Sequence, residues 1–169
     1  MNNYSIHWPQ FYTATILEWK FLLNNDIIKN IIISSLKYLV DNKKIKLHAF
    51  VIMDNHIHLI WQALAENNPN KIRHNFMKFT AQQMKFELME SDDYYLQDFK
   101  VKKEDRVFQF WKRNALSVEL FSKKFFVQKM NYIHNNPVKA GLCIFPEDYK
   151  YSSASYYNGG IDYFGIMTG

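Results

Sequence analysis

Residues Leu47 to Gln62 have the sequence LHAFVIMDNHIHLIWQ. Apolar residues alternate up to Met53, the pair Asp54-Asn55 is typical of a turn, and a second apolar run follows, so two strands joined by a tight hairpin are predicted. Because successive strand side chains point to opposite faces, His56 and His58 share one face. The pair presents two imidazoles side by side, either as ligands of one metal ion or as a polar pair satisfied at the sheet face.

The composition is that of a globular protein. The chain has 169 residues, of which 48% are hydrophobic and 17% aromatic, which allows a sizeable core and argues against disorder. Lys and Arg number 21 against 16 Asp and Glu, a formal net charge of +5, so a polyanion is favoured as a partner. The single cysteine, Cys143, excludes an internal disulfide and a cysteine-based zinc site. No apolar run is typical of a membrane span or a secretory signal, so a cytoplasmic protein without membrane partners is expected.

Patterns on both sides of the hairpin predict the other elements. The aromatic and β-branched run at residues 11–18 predicts a strand, and helical spacing after the capping candidates at 24–26 predicts a helix over 27–40. Asn68-Pro69 predicts the start of a helix that ends near 91–93. The predicted apolar stripe of this helix is Ile72, Phe76, Phe79, Gln83 and Phe86.

The second half of the chain has weaker signals. Residues 94–106 predict a loop or an irregular edge, and residues 107–111 predict a strand that residues 117–121 continue or pair with. A helix is predicted from Ser122 to Asn135, ended by Pro137 because the residue before proline is steered away from helical angles. The resulting order βαββαβ predicts an α+β fold of the ferredoxin-like or RRM-like type, with helices on a central antiparallel sheet. We expect a single domain over residues 1–169, with a core at about 11–150 and a partly flexible tail at 151–169.

A second polar group lies in KMNYIHNNPVKAGL, residues 129–142. Tyr132 and Asn136 are four residues apart and share one face if the helix persists that far. The phenol of Tyr132 has the chemistry of a nucleophile, and the Asn136 carboxamide oxygen is a hard ligand that suits Mg²⁺ or Mn²⁺ beside two imidazoles. The alternative is that Tyr132 is one of 11 tyrosines and that Asn136 only caps a helix.

Several of these segments together resemble a known family. HAFVIMDNHIHLIWQ at residues 48–62, FQFW at 108–111, YIHNNPVKAGL at 132–142 and PEDYKYSSASYY at 146–157 resemble the REP-associated tyrosine transposases. These are small single-tyrosine members of the HUH endonuclease superfamily. The resemblance extends from about Phe11 to Tyr157, and YIHNNPVKAGL is its most specific part. Family members often have proline where Asp54 stands, which leaves an extra carboxylate that could lie beside the metal.

The resemblance implies an HUH fold in which His56, His58 and Asn136 bind a divalent metal, Mg²⁺ or Mn²⁺, and Tyr132 is the nucleophile. It implies an enzyme that cleaves and rejoins single-stranded DNA at hairpin-flanked sites through a 5′-phosphotyrosine intermediate, without a nucleotide cofactor. A prokaryotic, nucleoid-associated protein acting as a monomer or a homodimer is implied as well. His134 lies within the tyrosine motif but on a different helix face, so it is expected to be structural or to contact DNA.

Basic residues next to aromatic ones predict a surface for single strands, where bases stack on rings and phosphates meet cations. The predicted DNA-binding residues are Lys71, Arg73, Trp111, Lys112, Arg113 and Lys139. Each cluster could equally be a solvated face over buried aromatic residues. The rival functional interpretations are a non-catalytic RRM-like module that binds single-stranded nucleic acid and a domesticated DNA-binding relative.

Overall fold

A four-stranded antiparallel sheet forms the centre of the fold. The computed structural model describes residues 5–168, so the first four residues and Gly169 of the predicted 1–169 domain lie outside the described residues. Strands β1 (Gln10–Thr15), β2 (Ile45–Ile52), β3 (His56–Ala63) and β4 (Leu116–Glu119) are arranged in the order β2-β3-β1-β4. All three neighbouring pairs are antiparallel. This is the strand order of a ferredoxin-like sheet, so the predicted α+β fold is confirmed.

Within residues 5–168, five α-helices connect or flank the strands, and the first two begin at asparagine caps. The helices are α1 (Asp26–Asp41), α2 (Pro69–Ser91), α3 (Asp93–Leu96), α4 (Lys123–Lys139) and α5 (Ala154–Gly159). The Asn25 side chain accepts a hydrogen bond from the N–H of Ile27 at 2.8 Å, and Asn68 caps α2 in the same manner, as asparagine commonly does at this position. Within residues 5–168, no helix combines the length and apolar character needed to span a membrane.

The sheet is covered on both faces. Ile57, Leu59 and Trp61 of β3 belong to the larger core, which α1 and α2 complete. Ile60, on the other face of the same strand, packs in a smaller core with Ile133 of α4. Since strand side chains alternate, His56 and His58 lie on the face that α4 covers.

The buried stripe of α2 differs from the predicted one. Ile72 and Phe76 are buried, but Phe79 and Phe86 are 47% and 46% exposed. The buried line instead continues at every fourth residue through Thr80, Met84 and Leu88. Thr80 can occupy a core position because its hydroxyl donates to the Phe76 carbonyl at 2.8 Å and accepts from the indole N–H of Trp111 at 3.0 Å, which leaves no polar atom unpaired.

The predicted strand at residues 107–111 is wrong. Phe108 and Trp111 form only isolated bridges, to Lys100 and Ile16, and the fourth strand is β4, in which Val118 pairs with Phe11 of β1. The apolar residues of the 107–111 run fill core positions instead, since Phe110 and Trp111 are buried. The preceding residues, predicted as a loop, contain α3 and a short three-residue helical turn, Gln97–Phe99.

Helix α4 continues past Pro137, where the sequence predicted its end. Proline removes one backbone donor, but Pro137 lies in the last turn, where few helical hydrogen bonds remain to be lost, and its ring is buried. The Ala140 N–H still donates to the Asn136 carbonyl at 3.0 Å. The predicted boundary is therefore short by about one turn, and Asn136 lies inside the helix.

The tail covers the outer edge of β2. The Ile52 N–H donates to the Tyr151 carbonyl at 2.9 Å, and the Ser153 N–H donates to the Phe50 carbonyl at 3.0 Å. Further along, the Thr168 hydroxyl accepts from the Leu47 N–H at 2.8 Å. Such pairing satisfies edge groups that would otherwise be open to another strand. The segment for which the sequence predicted partial flexibility thus contains α5 and contacts the sheet.

The observed stripe of α2 gives a prediction about stability. Phe76→Ala should lower the free energy of unfolding by about 3–5 kcal/mol, because it leaves a cavity in the larger core. Phe79→Ala, on the half-exposed side of the same helix, should cost no more than about 1 kcal/mol. Urea unfolding of both variants measures the difference, and equal losses would contradict the observed orientation of α2.

Candidate active site

His56 and His58 lie next to each other on β3, facing α4. In the pairing of β1 with β3, Thr13 is opposite His58 and Thr15 is opposite His56. The centroids of the two imidazole rings are 4.8 Å apart. His58 is buried and stacks on the ring of Phe11, with 5.4 Å between centroids and 17° between planes. The predicted shared face of the two histidines is confirmed.

Both imidazoles use Nδ1 for a neighbouring side chain. His56 Nδ1 is 2.7 Å from the Asn55 carboxamide oxygen, which can only accept, so this ring carries its proton on Nδ1. His58 Nδ1 is 2.7 Å from the Thr13 hydroxyl oxygen, which can accept a hydrogen bond from Nδ1–H in the same way. In this tautomer both Nε2 atoms keep a free lone pair. Metal-binding histidines are commonly oriented by such a hydrogen bond from the other ring nitrogen.

Burial keeps both rings uncharged. Burial, together with smaller contributions from the neighbouring His56 and Lys129, lowers the pKa of His58 to about 3. The pKa of His56 is also lowered by burial, and a hydrogen bond with the Asn136 side chain partly offsets this effect. Near pH 7 both rings are therefore in the neutral form, which is the form that binds metal ions.

Tyr132 and Asn136 reach the histidines from α4. The Tyr132 ring lies edge-on to His58, with 5.2 Å between centroids, and edge-on to Phe11 at 6.0 Å. Tyr132 is 47% exposed, and it lines a groove of about 510 Å³ together with Asn136 and Lys139. Because α4 extends to Lys139, residues four apart share a face there. The structure thus brings Tyr132 and Asn136 to the two histidines, as the sequence predicted.

These residues fit a divalent ion. Two neutral imidazole nitrogens and one carboxamide oxygen leave coordination positions for water and phosphate oxygens, as Mg²⁺ and Mn²⁺ prefer. Among residues 5–168, no three His, Cys, Asp or Glu side chains are grouped to hold a metal, so the set depends on the oxygen of Asn136. The Asp54 carboxylate, which the sequence left open as an extra group beside the metal, is paired with the ammonium of Lys29 on α1 at 3.3 Å.

Two neighbours of the site were not predicted. Lys129 places its ammonium 4.8 Å from the Phe11 ring centre and 5.7 Å from that of Tyr132. Its position three residues before Tyr132 on the same helix is a signal that the sequence contained. Thr13, which orients His58, had no such signal, because only the pairing of β1 with β3 brings the two together.

His134 has a structural position on the other side of α4. Its Nε2 is 2.8 Å from the Ser153 hydroxyl, and the same hydroxyl accepts from the Phe50 N–H at 3.0 Å. Burial lowers the pKa of His134 to about 4. Of the two roles expected for this residue, the contacts support the structural one, in which it joins α4 to the tail and to β2.

A basic groove lies between α2 and residues 105–115. It has a volume of about 780 Å³, and its lining includes six basic side chains and one acidic side chain, Asp105. Asp105 is paired with Arg106 at 2.6 Å. The basic side chains of this groove are Arg73, His74, Lys78, Arg106, Lys112 and Arg113. The groove therefore has a surplus of positive charge.

The predicted DNA-binding residues have different surroundings. Lys112 and Arg113 are exposed in the basic groove, and Lys139 lies beside Tyr132 in the smaller groove. Arg73 also lines the basic groove, but its guanidinium donates to the Gln10 carboxamide oxygen at 2.7 Å and to the Ser117 hydroxyl at 3.1 Å. Lys71 is exposed in the first turn of α2 and is not among the residues that line the groove.

Trp111 does not have the exposure that a stacking role requires. It is 6% exposed, and its indole N–H is bonded to Thr80 in the core. The predicted contribution of Trp111 to DNA stacking is therefore wrong.

Solved structures share this architecture. A REP-associated tyrosine transposase bound to a REP hairpin matches with a TM-score of 0.65 and 15% identity, over 98% of this chain and 88% of that protein. A candidate transposase from Deinococcus radiodurans matches with a TM-score of 0.50 and 13% identity, over 77% of this chain and 92% of that one. The chain has the fold of these transposases. The fold implied by the sequence motifs is thus confirmed, while no protein-family model and no curated protein matches the sequence significantly.

The buried His134 should make the protein sensitive to acid. Its pKa is about 4 in the folded protein and about 6.5 in an unfolded chain, so between these values the unfolded state binds more protons. The free energy of unfolding should therefore fall as the pH drops through this range, and His134 should contribute about 3 kcal/mol of the total fall. Urea unfolding in EDTA, between about pH 7 and about pH 4, should show a smaller fall for His134→Gln.

His74→Gln, at an exposed position of α2, is the control for loss of an imidazole outside the core. An equal pH dependence for His134→Gln would contradict the role assigned to His134.

Proposed function

We propose that the chain is a metal-dependent, single-tyrosine endonuclease and transposase that cuts and rejoins single-stranded DNA at hairpin-flanked sites. The observation that carries the proposal is the contact between Tyr132 and His58, with 5.2 Å between ring centroids, at a groove that Asn136 also lines. The fold shared with transposases, one of them bound to a REP hairpin, supports DNA as the substrate class. The surplus of positive charge supports it as well.

His56, His58 and Asn136 would hold the divalent ion, Mg²⁺ or Mn²⁺. When bound, such an ion polarises a backbone phosphate and offsets the negative charge that develops on it during the reaction. Asn55 and Thr13 contribute by keeping the Nε2 atoms of the two histidines free. Burial of the rings contributes by keeping them neutral.

The Tyr132 oxygen attacks the phosphorus atom of a DNA phosphodiester in line with the bond to the 3′ oxygen. The new bond joins phosphorus to the phenol oxygen, the phenol proton leaves, and the departing 3′ oxygen takes up a proton. The products are a 5′-phosphotyrosine link and a free 3′ hydroxyl. One phosphate ester replaces another, so the 3′ hydroxyl of the same or another strand can reverse the step without a nucleotide cofactor.

Neighbouring side chains prepare Tyr132 for this step. Its ring is held edge-on between Phe11 and His58, which restricts the direction of the hydroxyl. The Lys129 ammonium, 5.7 Å from the ring centre, favours the negative charge that develops on the phenol oxygen and the charge of the incoming phosphate. Because Tyr132 contacts His58 of its own chain, a site completed within one chain is favoured, whether the protein acts as a monomer or as a homodimer.

The cleavage proposal is tested with labelled single-stranded hairpin oligonucleotides from the flanks of the protein's own gene. We expect a covalent protein–DNA adduct with Mn²⁺ or Mg²⁺, and none with EDTA. Tyr132→Phe should reduce the adduct by about a thousandfold or more, because it removes the nucleophile. Tyr157→Phe is the matched control: Tyr157 is also exposed, at 40%, but its hydroxyl is bonded to the His48 carbonyl on the edge strand β2.

An adduct that persists in Tyr132→Phe would assign the chemistry to another residue. Binding of the hairpin without an adduct, with either metal, would contradict the enzyme proposal and favour a non-catalytic single-strand-binding module.

The metal ligands are tested separately from DNA. Mn²⁺ binding followed by electron paramagnetic resonance should weaken at least about tenfold in Asn136→Ala, because an oxygen donor is lost. Asn135→Ala is the matched control, since the Asn135 side chain donates to the Asn131 carbonyl within α4 at 2.9 Å. Equal Mn²⁺ affinity in the two variants would remove Asn136 from the proposed ligand set.

A further inference from the structure

Trp19 is an exposed aromatic side chain beside the candidate active site that the proposed chemistry does not use. Its ring centroid lies 6.3 Å from that of His56, and the side chain is 54% exposed. By contrast, Trp61 and Trp111 are buried in the core. An indole that is half exposed beside His56 retains an open face that a ligand can cover.

The backbone holds Trp19 in a conformation that residues with a β-carbon disfavour. Glu18 has φ 55° and Trp19 has φ 57°, in the left-handed region. Three hydrogen bonds fix this segment: the Leu17 N–H donates to the Phe110 carbonyl at 2.7 Å, the Trp19 N–H donates to the Ile16 carbonyl at 2.9 Å, and the Asn55 side-chain amide donates to the Trp19 carbonyl at 3.5 Å.

Asn55 connects Trp19 to His56, a proposed metal ligand. Its amide nitrogen donates to the Trp19 carbonyl, and its oxygen is bonded to His56 Nδ1 at 2.7 Å. The indole and the imidazole are therefore positioned by one shared side chain. A nucleotide whose phosphate lies at His56 would have its base within reach of Trp19.

Lys112 connects this point to the basic groove. The Lys112 ammonium lies 5.8 Å from the Trp19 ring centre. The backbone N–H of Lys112 donates a hydrogen bond to the Thr15 carbonyl at 2.7 Å. Lys112 also lines the basic groove next to Arg113. The exposed Trp19 ring and the Lys112 ammonium therefore lie between His56 and the basic groove.

We propose that Trp19 and Lys112 form a subsite for single-stranded DNA. The indole stacks on the unpaired base next to the phosphate that Tyr132 attacks, Lys112 contacts a neighbouring phosphate, and the strand continues into the basic groove. An aromatic face beside a cation is the chemistry that binds unpaired nucleotides, because every base has a π face and every linkage a negative charge. The position of the attacked phosphate rests on the proposed function, but the binding itself requires no cleavage.

The test measures binding in a Tyr132→Phe background, so that no covalent adduct contributes. The probe is fluorescein-labelled oligo(dT) of about 20 nucleotides, a length that exceeds a typical single-strand site. Trp19→Ala should weaken binding by about 5- to 100-fold, the range expected for loss of one stacked base, and Trp19→Phe should retain most of the affinity. Lys112→Ala should weaken binding and reduce the slope of log affinity against log salt by about one.

The chain offers a matched control in Trp8. Trp8 is exposed to the same extent, 53%, but it precedes the other end of β1 and contacts Phe121. Trp8→Ala should leave oligo(dT) binding unchanged. Thermal unfolding of each variant checks the fold. If Trp19→Ala unfolds, Lys112→Ala, at an exposed position, keeps the test decisive, because an unchanged affinity and salt slope in that variant would overturn the subsite.

Duplex DNA of the same length distinguishes stacking from simple charge attraction. Its base faces are covered, so the affinity for duplex should not depend on Trp19. Unchanged oligo(dT) binding in Trp19→Ala, an equal loss in Trp8→Ala, or an equal loss on duplex DNA would each overturn the subsite. Trp19-dependent binding without adduct formation by the unsubstituted protein would overturn only the cleavage proposal, whereas adduct formation without a Trp19 effect on binding would overturn only the subsite.

Discussion

The antiparallel pairing of β3 with β1 fixes the candidate active site. This register sets Thr13 opposite His58 and Thr15 opposite His56, and it places the Phe11 ring against His58. Because side chains alternate along a strand, a slip of one residue would turn both histidines towards the core under α1 and α2 and would remove the hydroxyl that orients His58. The register of the sheet and the proposed chemistry therefore both depend on the hydrogen bonds between β1 and β3.

The second constraint is the position of α4, which packs on the face of the sheet opposite to α1 and α2. Ile133 anchors this helix in the smaller core, and His134 joins it through Ser153 to the backbone of Phe50 in β2. Tyr132 immediately precedes these two residues, so the packing that holds the helix also sets where the phenol meets His58. The C-terminal tail thus contributes to the site although it supplies no proposed catalytic group.

Around the candidate active site, the buried groups are neutral and the charged groups are more exposed. The imidazole rings lie where burial lowers the pKa of His56 and His58, so they are neutral donors. Two ammonium groups lie over the exposed rings of the site: Lys129 lies over Tyr132, and Lys112 lies over Trp19. This arrangement suits a reaction in which neutral ligands hold an ion while ammonium groups meet the phosphates of a strand.

The sequence by itself determined the order of the elements from β1 to α2, the caps of α1 and α2, and the shared face of His56 and His58, because these features depend on neighbours within a few residues along the chain. It also contained the motif that brings Asn136 to the site. Only the tertiary structure decided that Trp111 is a core residue, that Asp54 pairs with Lys29 on α1, and that Thr13 orients His58. These outcomes depend on which distant surfaces meet, and a local pattern of apolar and polar residues does not specify that.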